Sequence, residues 1–161
     1  MKSFIFRFYV PISILAGILA IIILYLVQKP IDWRLIITIV GGVLSAIYLV
    51  QKQKLEETKL LKDLFTEFNE RYSKINEKLN EICRENPSEQ LKQEEKDVLY
   101  EYFNLCAEEH LFHEKGYIPK KVWESWTNGM EIFFGNQRIC DLWKEDSKTD
   151  SYYGFKPPIC K

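Results

Sequence analysis

The residues best suited to chemistry stand in one short run, Glu108, Glu109, His110 and His113. His110 and His113 are three apart and Glu109 is four before His113, so on a helix these three side chains share a face. Imidazole and carboxylate form a ligand set that zinc and iron accept. A membrane-anchored, metal-dependent enzyme with Glu109, His110 and His113 as ligands is therefore one reading of the chain. The stricter patterns are absent. There is no HExxH, and the residues three before the histidines are Ala107 and His110, not the glutamates of carboxylate-bridged di-iron bundles. Ordinary polar contacts are the simpler use for these side chains, so no metal ligand, cofactor or catalytic residue is expected. A GxSxG elbow, a glycine-rich phosphate loop and a Cys beside a His at a recognised spacing are also missing, and enzyme is the minority reading.

Helices must position that run. From Glu89 to Lys115, Leu91, Val98, Leu99, Tyr102, Phe103 and Cys106 recur at helical spacing, followed by Leu111 or Phe112, and Gly116 ends the segment. Pro119 suits the first turn of a second helix with Val122, Trp123, Trp126, Met130 and Phe133 inward and Gly135 as terminator. A short third segment carries Ile139, Leu142 and Trp143, and the last residues, with Gly154, Pro157 and Pro158, read as an extended tail packed through its aromatics. Upstream, Leu61, Phe65, Phe68, Tyr72, Ile75, Leu79 and Ile82 form a heptad stripe over residues 53–86. Its aromatics are bulky for a parallel dimer seam, which favours packing on the chain's own helices over packing on a neighbouring subunit. Pro87 breaks the helix and Ser88 caps the next, so residues 87–161 form the helical domain with its tail. Helical domains of the HEPN type cleave RNA with an Arg followed four to six residues later by His. Arg71, Arg84 and Arg138 have no such His behind them. Nothing alternates with period two, and the fold class is all-α.

Charge divides the chain. Of its 161 residues, 1–54 hold six basic side chains against Asp32 alone, a formal +5, while the rest hold 16 basic and 22 acidic, a formal −6, giving the overall −1. An acidic helical domain is a poor grip for phosphates, and direct nucleic-acid binding is not expected. Residues 1–52 read as a transmembrane hairpin. Phe8 to Gln28 is a run of 21 uncharged residues, enough at about 1.5 Å each to cross roughly 30 Å of hydrocarbon, and too long for a cleaved signal sequence. Leu35 to Gln51 is a second span of 17 residues, flanked by Arg34 and Lys52 for snorkelling and by Trp33 as an interfacial aromatic. Neither span holds an Asp, Glu, Lys, Arg or His side chain, which argues against a proton relay or a charged filter.

Lys2 and Arg7 before the first span and Lys52, Lys54, Lys59 and Lys62 after the second outnumber Lys29 and Arg34 between them. The positive-inside rule then places both termini in the cytoplasm, with the helical domain and with Cys83, Cys106, Cys140 and Cys160 as reduced thiols. Small residues four apart, Ala16 with Ala20, Gly41 with Ser45 and Gly42 with Ala46, allow close helix packing in lipid, within the chain or between subunits of a homo-oligomer.

The series Tyr102-Phe103-Asn104-Leu105-Cys106-Ala107-Glu108-Glu109, Gly116-Tyr117-Ile118-Pro119, Val122-Trp123, Trp126, Gly129-Met130 and Tyr152-Tyr153-Gly154 resembles a helical domain of small bacterial membrane proteins, over about residues 60–154. Proteins of this build include the two-transmembrane effectors of retrons and the small membrane accessory protein of type VI-B CRISPR loci. The resemblance implies a multi-pass protein of the bacterial inner membrane acting in antiphage defence. Abortive infection would follow membrane disruption or pore formation, triggered by a cytosolic defence-system protein or ribonucleoprotein. Trp123, Trp126, Tyr152 and Tyr153 are the candidate partner-binding residues. The alternative is a passive membrane-anchored scaffold.

Overall fold

A computed structural model describes residues 2–27, 32–86, 89–149 and 151–160. Among them are five α-helices and no strand, which agrees with the all-α class. Pro87 and Ser88, and Gln28 at the end of the first expected span, lie outside the described residues, but the helix expected from Glu89 behind a Ser88 cap begins instead at Gln93 with Lys92 in the capping position.

Helix α1 runs Lys2–Val27 and is kinked at Phe8, whose φ and ψ are −115° and 15°. Pro11 accounts for the kink, because it has no N–H to offer the carbonyl of residue 7 and its ring presses on that carbonyl. With the break at Phe8, Pro11 falls in the first turn of the following piece, where a missing N–H forfeits no bond. Helix α2 spans Trp33–Arg84, 52 residues without interruption. Asp32 starts it, accepting the Arg34 N–H on Oδ1 at 2.9 Å and the Leu35 N–H on its carbonyl at 3.1 Å.

Phe8–Val27 and the first part of α2 are long and apolar enough to cross a membrane, with mean hydropathies of 2.8 and 1.9. Only 6% and 0% of those stretches are buried within the chain, whereas the core helix of a soluble protein would be mostly buried. Leu15, Leu19, Leu26 and Leu44 are among many large apolar side chains left exposed there, more than a water-facing surface usually carries.

The chain divides into two compact units, residues 1–59 and 60–161. In the first, Gly17 approaches α2 so closely that a Cβ there would meet Val43 Cγ2 at 2.7 Å. A hydrogen at that position lets the two helices touch.

The second unit is assembled from the end of α2 with α3 (Gln93–Glu114), α4 (Lys120–Phe134), α5 (Gln137–Asp146) and a short 3-10 turn, Ser147–Thr149. The stripe on α2 packs on the chain's own helices, as the aromatics implied. Leu64, outside the heptad pattern, joins Phe68, Ile75, Leu79 and Ile82 in the core, while Leu61 and Phe65 are half-buried. At the start of α3, the Lys92 N–H donates to Glu95 at 2.7 Å. At its end, Gly116 takes a φ of 79°, and the N–H groups of Gly116 and Tyr117 donate to the carbonyls of His113 and Phe112. That pair of bonds is a Schellman closure, and it needs the left-handed residue that glycine supplies most easily. Pro119 stands one position before α4 and its carbonyl accepts from Val122 and Trp123. Asn136 caps α5 by accepting the Arg138 N–H.

Aromatic rings fill the centre. Phe103 stacks on Phe134 at 5.6 Å and meets the edge of Trp143 at 5.1 Å, arrangements that add about 1 kcal/mol each to simple burial. The tail returns to this core, as its aromatics suggested. Tyr152, Phe155 and Pro157 are buried, and a turn from Tyr152 to Phe155 has positive φ at Tyr153 (52°) and Gly154 (76°). The expectation of four thiols is corrected for two of them. Cys140 of α5 and Cys160 of the tail are joined in a disulfide with Cα atoms 5.6 Å apart, leaving Cys83 and Cys106 free. Spacing gave no hint of this pair, because folding of the tail brings it together.

Among the described residues two ionisable side chains of charged type, Arg138 and Glu109, are buried in the packing. Arg138, 6% exposed, donates to the Ile82 carbonyl at 3.2 Å and pairs with Glu85 at 3.0 Å and Glu95 at 3.2 Å. It thereby ties the end of α2 and the start of α3 to α5.

Candidate functional site

Helix α3 carries the Glu108–His113 run but sends its members apart. Glu108 is held by Arg71 of α2, whose two terminal guanidinium nitrogens reach both carboxylate oxygens. His113 places Nδ1 3.0 Å from the Ile118 carbonyl, so that nitrogen carries the proton, and its ring stacks on Trp123 at 5.2 Å. His110 lies against Trp123 and Phe155 with Nδ1 buried and unpartnered, and burial lowers its pKa, which keeps the imidazole neutral. Among the described residues no three His, Cys, Asp or Glu side chains are grouped to hold a metal.

Glu109 is the exception in that run, because its carboxyl enters a cavity. The cavity has a volume of about 150 Å³ and lies between α2, α3 and α4. Its walls include the rings of Phe68, Tyr72, Tyr102, Trp126 and Phe133. Asn69 and Gly129, both exposed, stand at its edge. Glu109 is only 8% exposed, and among the described residues no hydrogen bond or ion pair ties down its carboxyl. Loss of hydration pushes its pKa up to about 8, against the pull of Arg71 and with a further push from Glu108. At neutral pH the group is therefore mostly the uncharged acid. The Cys106 thiol beside it is raised by burial and then by Glu109, and the Tyr102 hydroxyl is raised by burial and by Cys106. Neither is a nucleophile at neutral pH.

The site sets one acid among aromatic rings, an arrangement suited to holding a cation. Sequence reasoning found Glu109 by its spacing to His113 and missed the cavity. The available signal was that Tyr102, Cys106 and Glu109 lie 4 and 3 apart, so the acid continues an apolar face.

The candidate partner-binding residues do not form one surface. Trp123 covers the two histidines, Trp126 lines the cavity, Tyr152 is buried with its hydroxyl on Asp146, and Tyr153 alone is well exposed. In the first unit, Ala20 is half-buried and Ala16 exposed beside the buried Gly17. Gly41, Gly42, Ser45 and Ala46 are all exposed, and a Cβ at either glycine would meet no atom within 4 Å.

No protein-family model, no curated protein and no solved structure matches this chain.

Proposed function

We propose that the chain is a two-span effector of the bacterial inner membrane, a hairpin continuing into a cytoplasmic helical bundle that receives a signal from a partner. The observation that carries this reading is the continuity of α2. One helix presents unburied apolar side chains in its first part and core side chains from Leu64 to Ile82 in its last. In this proposal α2 is the element through which two states of the bundle bias two states of the span. The open Gly41–Ser45 and Gly42–Ala46 face supports assembly of spans into a homo-oligomer, which is the way a leak forms when no span carries a charge. Antiphage defence is the context the sequence resemblance supplies, with a cytosolic protein or ribonucleoprotein as trigger and abortive infection as outcome.

Cells expressing the full chain with its genomic neighbours should lose membrane potential, read by a voltage-sensitive dye, when phage or partner is supplied. A potential that holds under every such condition removes the reading. The absence of Asp, Glu, Lys, Arg and His from both apolar stretches favours a second reading, a passive tether. Exchanging residues 1–50 for an unrelated two-span hairpin separates the two. Retained activity means tether, and lost activity with retained membrane insertion means that the native spans act.

The cytoplasmic placement has its own test. Six basic residues around the outer ends of the spans against two between them support it, whereas a disulfide such as Cys140–Cys160 is more at home in an oxidising compartment. Lys121→Cys, on an exposed position of α4, should react with a membrane-impermeant maleimide only after lysis. Labelling in intact cells with a sealed inner membrane, as after outer-membrane permeabilisation, overturns the placement.

A further inference from the structure

We infer that the cavity between α2, α3 and α4 binds a small quaternary ammonium cation of choline size, with the aromatic rings as its cage and Glu109 as its counter-charge. The inference rests on the cavity alone and stands whichever way the spans act.

Three observations carry it. The first is ring content. Phe68, Tyr72, Tyr102, Trp126 and Phe133 supply five aromatic faces or edges around one space. They also brace one another, with Phe68 5.9 Å from Trp126 and Tyr102 5.4 Å from Phe133 in edge contacts. A cage of rings that hold each other in place is preorganised for a cation whose charge is spread over methyl groups. The second is size. An engineered cavity of about 150 Å³ takes a benzene, six heavy atoms, and choline has about seven. A space of about 150 Å³ open at Asn69 and Gly129 therefore admits the trimethylammonium end and leaves the hydroxyl end toward the mouth. The third is the acid. Glu109 is more than nine-tenths buried, lines the same space, and has no partner among the described residues, because Arg71 is engaged by Glu108. A quaternary ammonium cannot donate a hydrogen bond and needs only a nearby negative charge, which is what an unbonded carboxylate in a ring-walled space provides.

The groups facing Glu109 fix the pH behaviour. From α2 they are Arg71 and Tyr72, and from α3 Tyr102, Cys106 and Glu108, while α4 faces it with Trp126, Met130 and Phe133, none of them titratable. Entry of the cation draws the proton off Glu109, so binding releases about one proton below pH 8 and affinity rises with pH until the acid is already ionised. Among the described residues no Lys or Arg lines the cavity to receive a phosphate, and Glu109 would repel one, which assigns the site to a free cation and not to the headgroup of a choline lipid.

The test is calorimetric titration of the full chain, in a maltoside detergent without choline groups, with choline and with its uncharged isostere 3,3-dimethylbutan-1-ol. At pH 8.5 choline should bind at least tenfold more tightly than the isostere, and its affinity should fall about tenfold or more at pH 6. Glu109→Gln should remove the preference for charge while leaving the weak binding of the isostere, which also shows that the variant is folded. Gly129→Leu, at a position where a Cβ meets nothing within 4 Å, should obstruct the mouth and weaken both ligands. Equal binding of the two ligands, no saturation by choline at tens of millimolar, or undiminished choline preference in Glu109→Gln overturns the inference. Glycerophosphocholine binding as tightly as choline overturns the assignment to a free cation.

Discussion

The junction around Arg138 and the cavity around Glu109 bury charged side chains to nearly the same depth, 6% and 8% exposed, and resolve the burial in opposite ways. Arg138 is given two carboxylates and a carbonyl, so its charge is kept and three helices are fastened by it. Glu109 is given rings, so its charge is suppressed and the space beside it stays open. A buried charge that is given ionic partners holds a fold in register, whereas one left without them stores a free-energy difference that a ligand can release. The first region belongs to architecture and the second to recognition.

Breaking the Arg138 side should have the largest effect. Arg138→Met leaves Glu95, whose side chain is 12% exposed, without its cation and strips the Ile82 carbonyl of a donor, so the helical domain should lose about 3–5 kcal/mol. Thermal unfolding followed by near-UV circular dichroism of the aromatic core reads this. A loss below about 1 kcal/mol would mean that the junction is not a fastening.

Next in size is the disulfide, two residues along α5 from Arg138. It closes a loop of sequence separation 20, and Cys140→Ser should cost about 2–3 kcal/mol, chiefly by freeing the unfolded chain of a cross-link. Limited proteolysis should then cut near Gly154, in the turn between the buried Tyr152 and Phe155, faster than in the intact protein.

The Glu109 side is sharpened by pH. Its folded pKa of about 8 is above the ordinary carboxylic value, so the stability it contributes is complete below about pH 4.5 and is lost as pH rises toward 8. That loss should amount to roughly 2–4 kcal/mol, and Glu109→Gln should flatten it, making the variant the more stable protein at pH 8.5 and no more stable than the native one at pH 5. A native protein whose unfolding shows no extra pH dependence over the variant would remove the contrast between the two regions.

The smallest effect concerns Arg71, which pulls the Glu109 pKa down across the intervening space while pairing with Glu108. Arg71→Leu should raise the Glu109 pKa further, visible as a shift of the choline affinity profile to higher pH. A shift to lower pH would contradict the arrangement of charges around the cavity.

Much of this was legible in the residues. Continuous apolar runs gave the two span-length helices, the 3.6-residue recurrence gave α3 and α4, and Gly116 gave the end of α3, because each is a local signal. The kink at Phe8 falls where the expected first span begins, and Pro11 is the local signal for it. The fate of the Glu108–His113 run was not legible. Spacing put Glu109, His110 and His113 on one face, but which neighbour meets each side chain depends on Arg71, Trp123 and Ile118, which other segments deliver. Arg138 was invisible for the same reason, as Glu85 and Glu95 lie 53 and 43 residues away. Long-range pairing of charges leaves no period in a sequence, and neither does a disulfide whose second half arrives with a folded tail.

The return of the last residues to the core limits what can be attached to the molecule. Because Tyr152, Phe155 and Pro157 belong to the interior, residues 151–160 act as a wedge seated among the helices. A reporter or affinity handle joined beyond residue 160 leaves that wedge seated, while one spliced in at 150 withdraws it, and a silent fusion of the second kind would report on the splice and not on the protein.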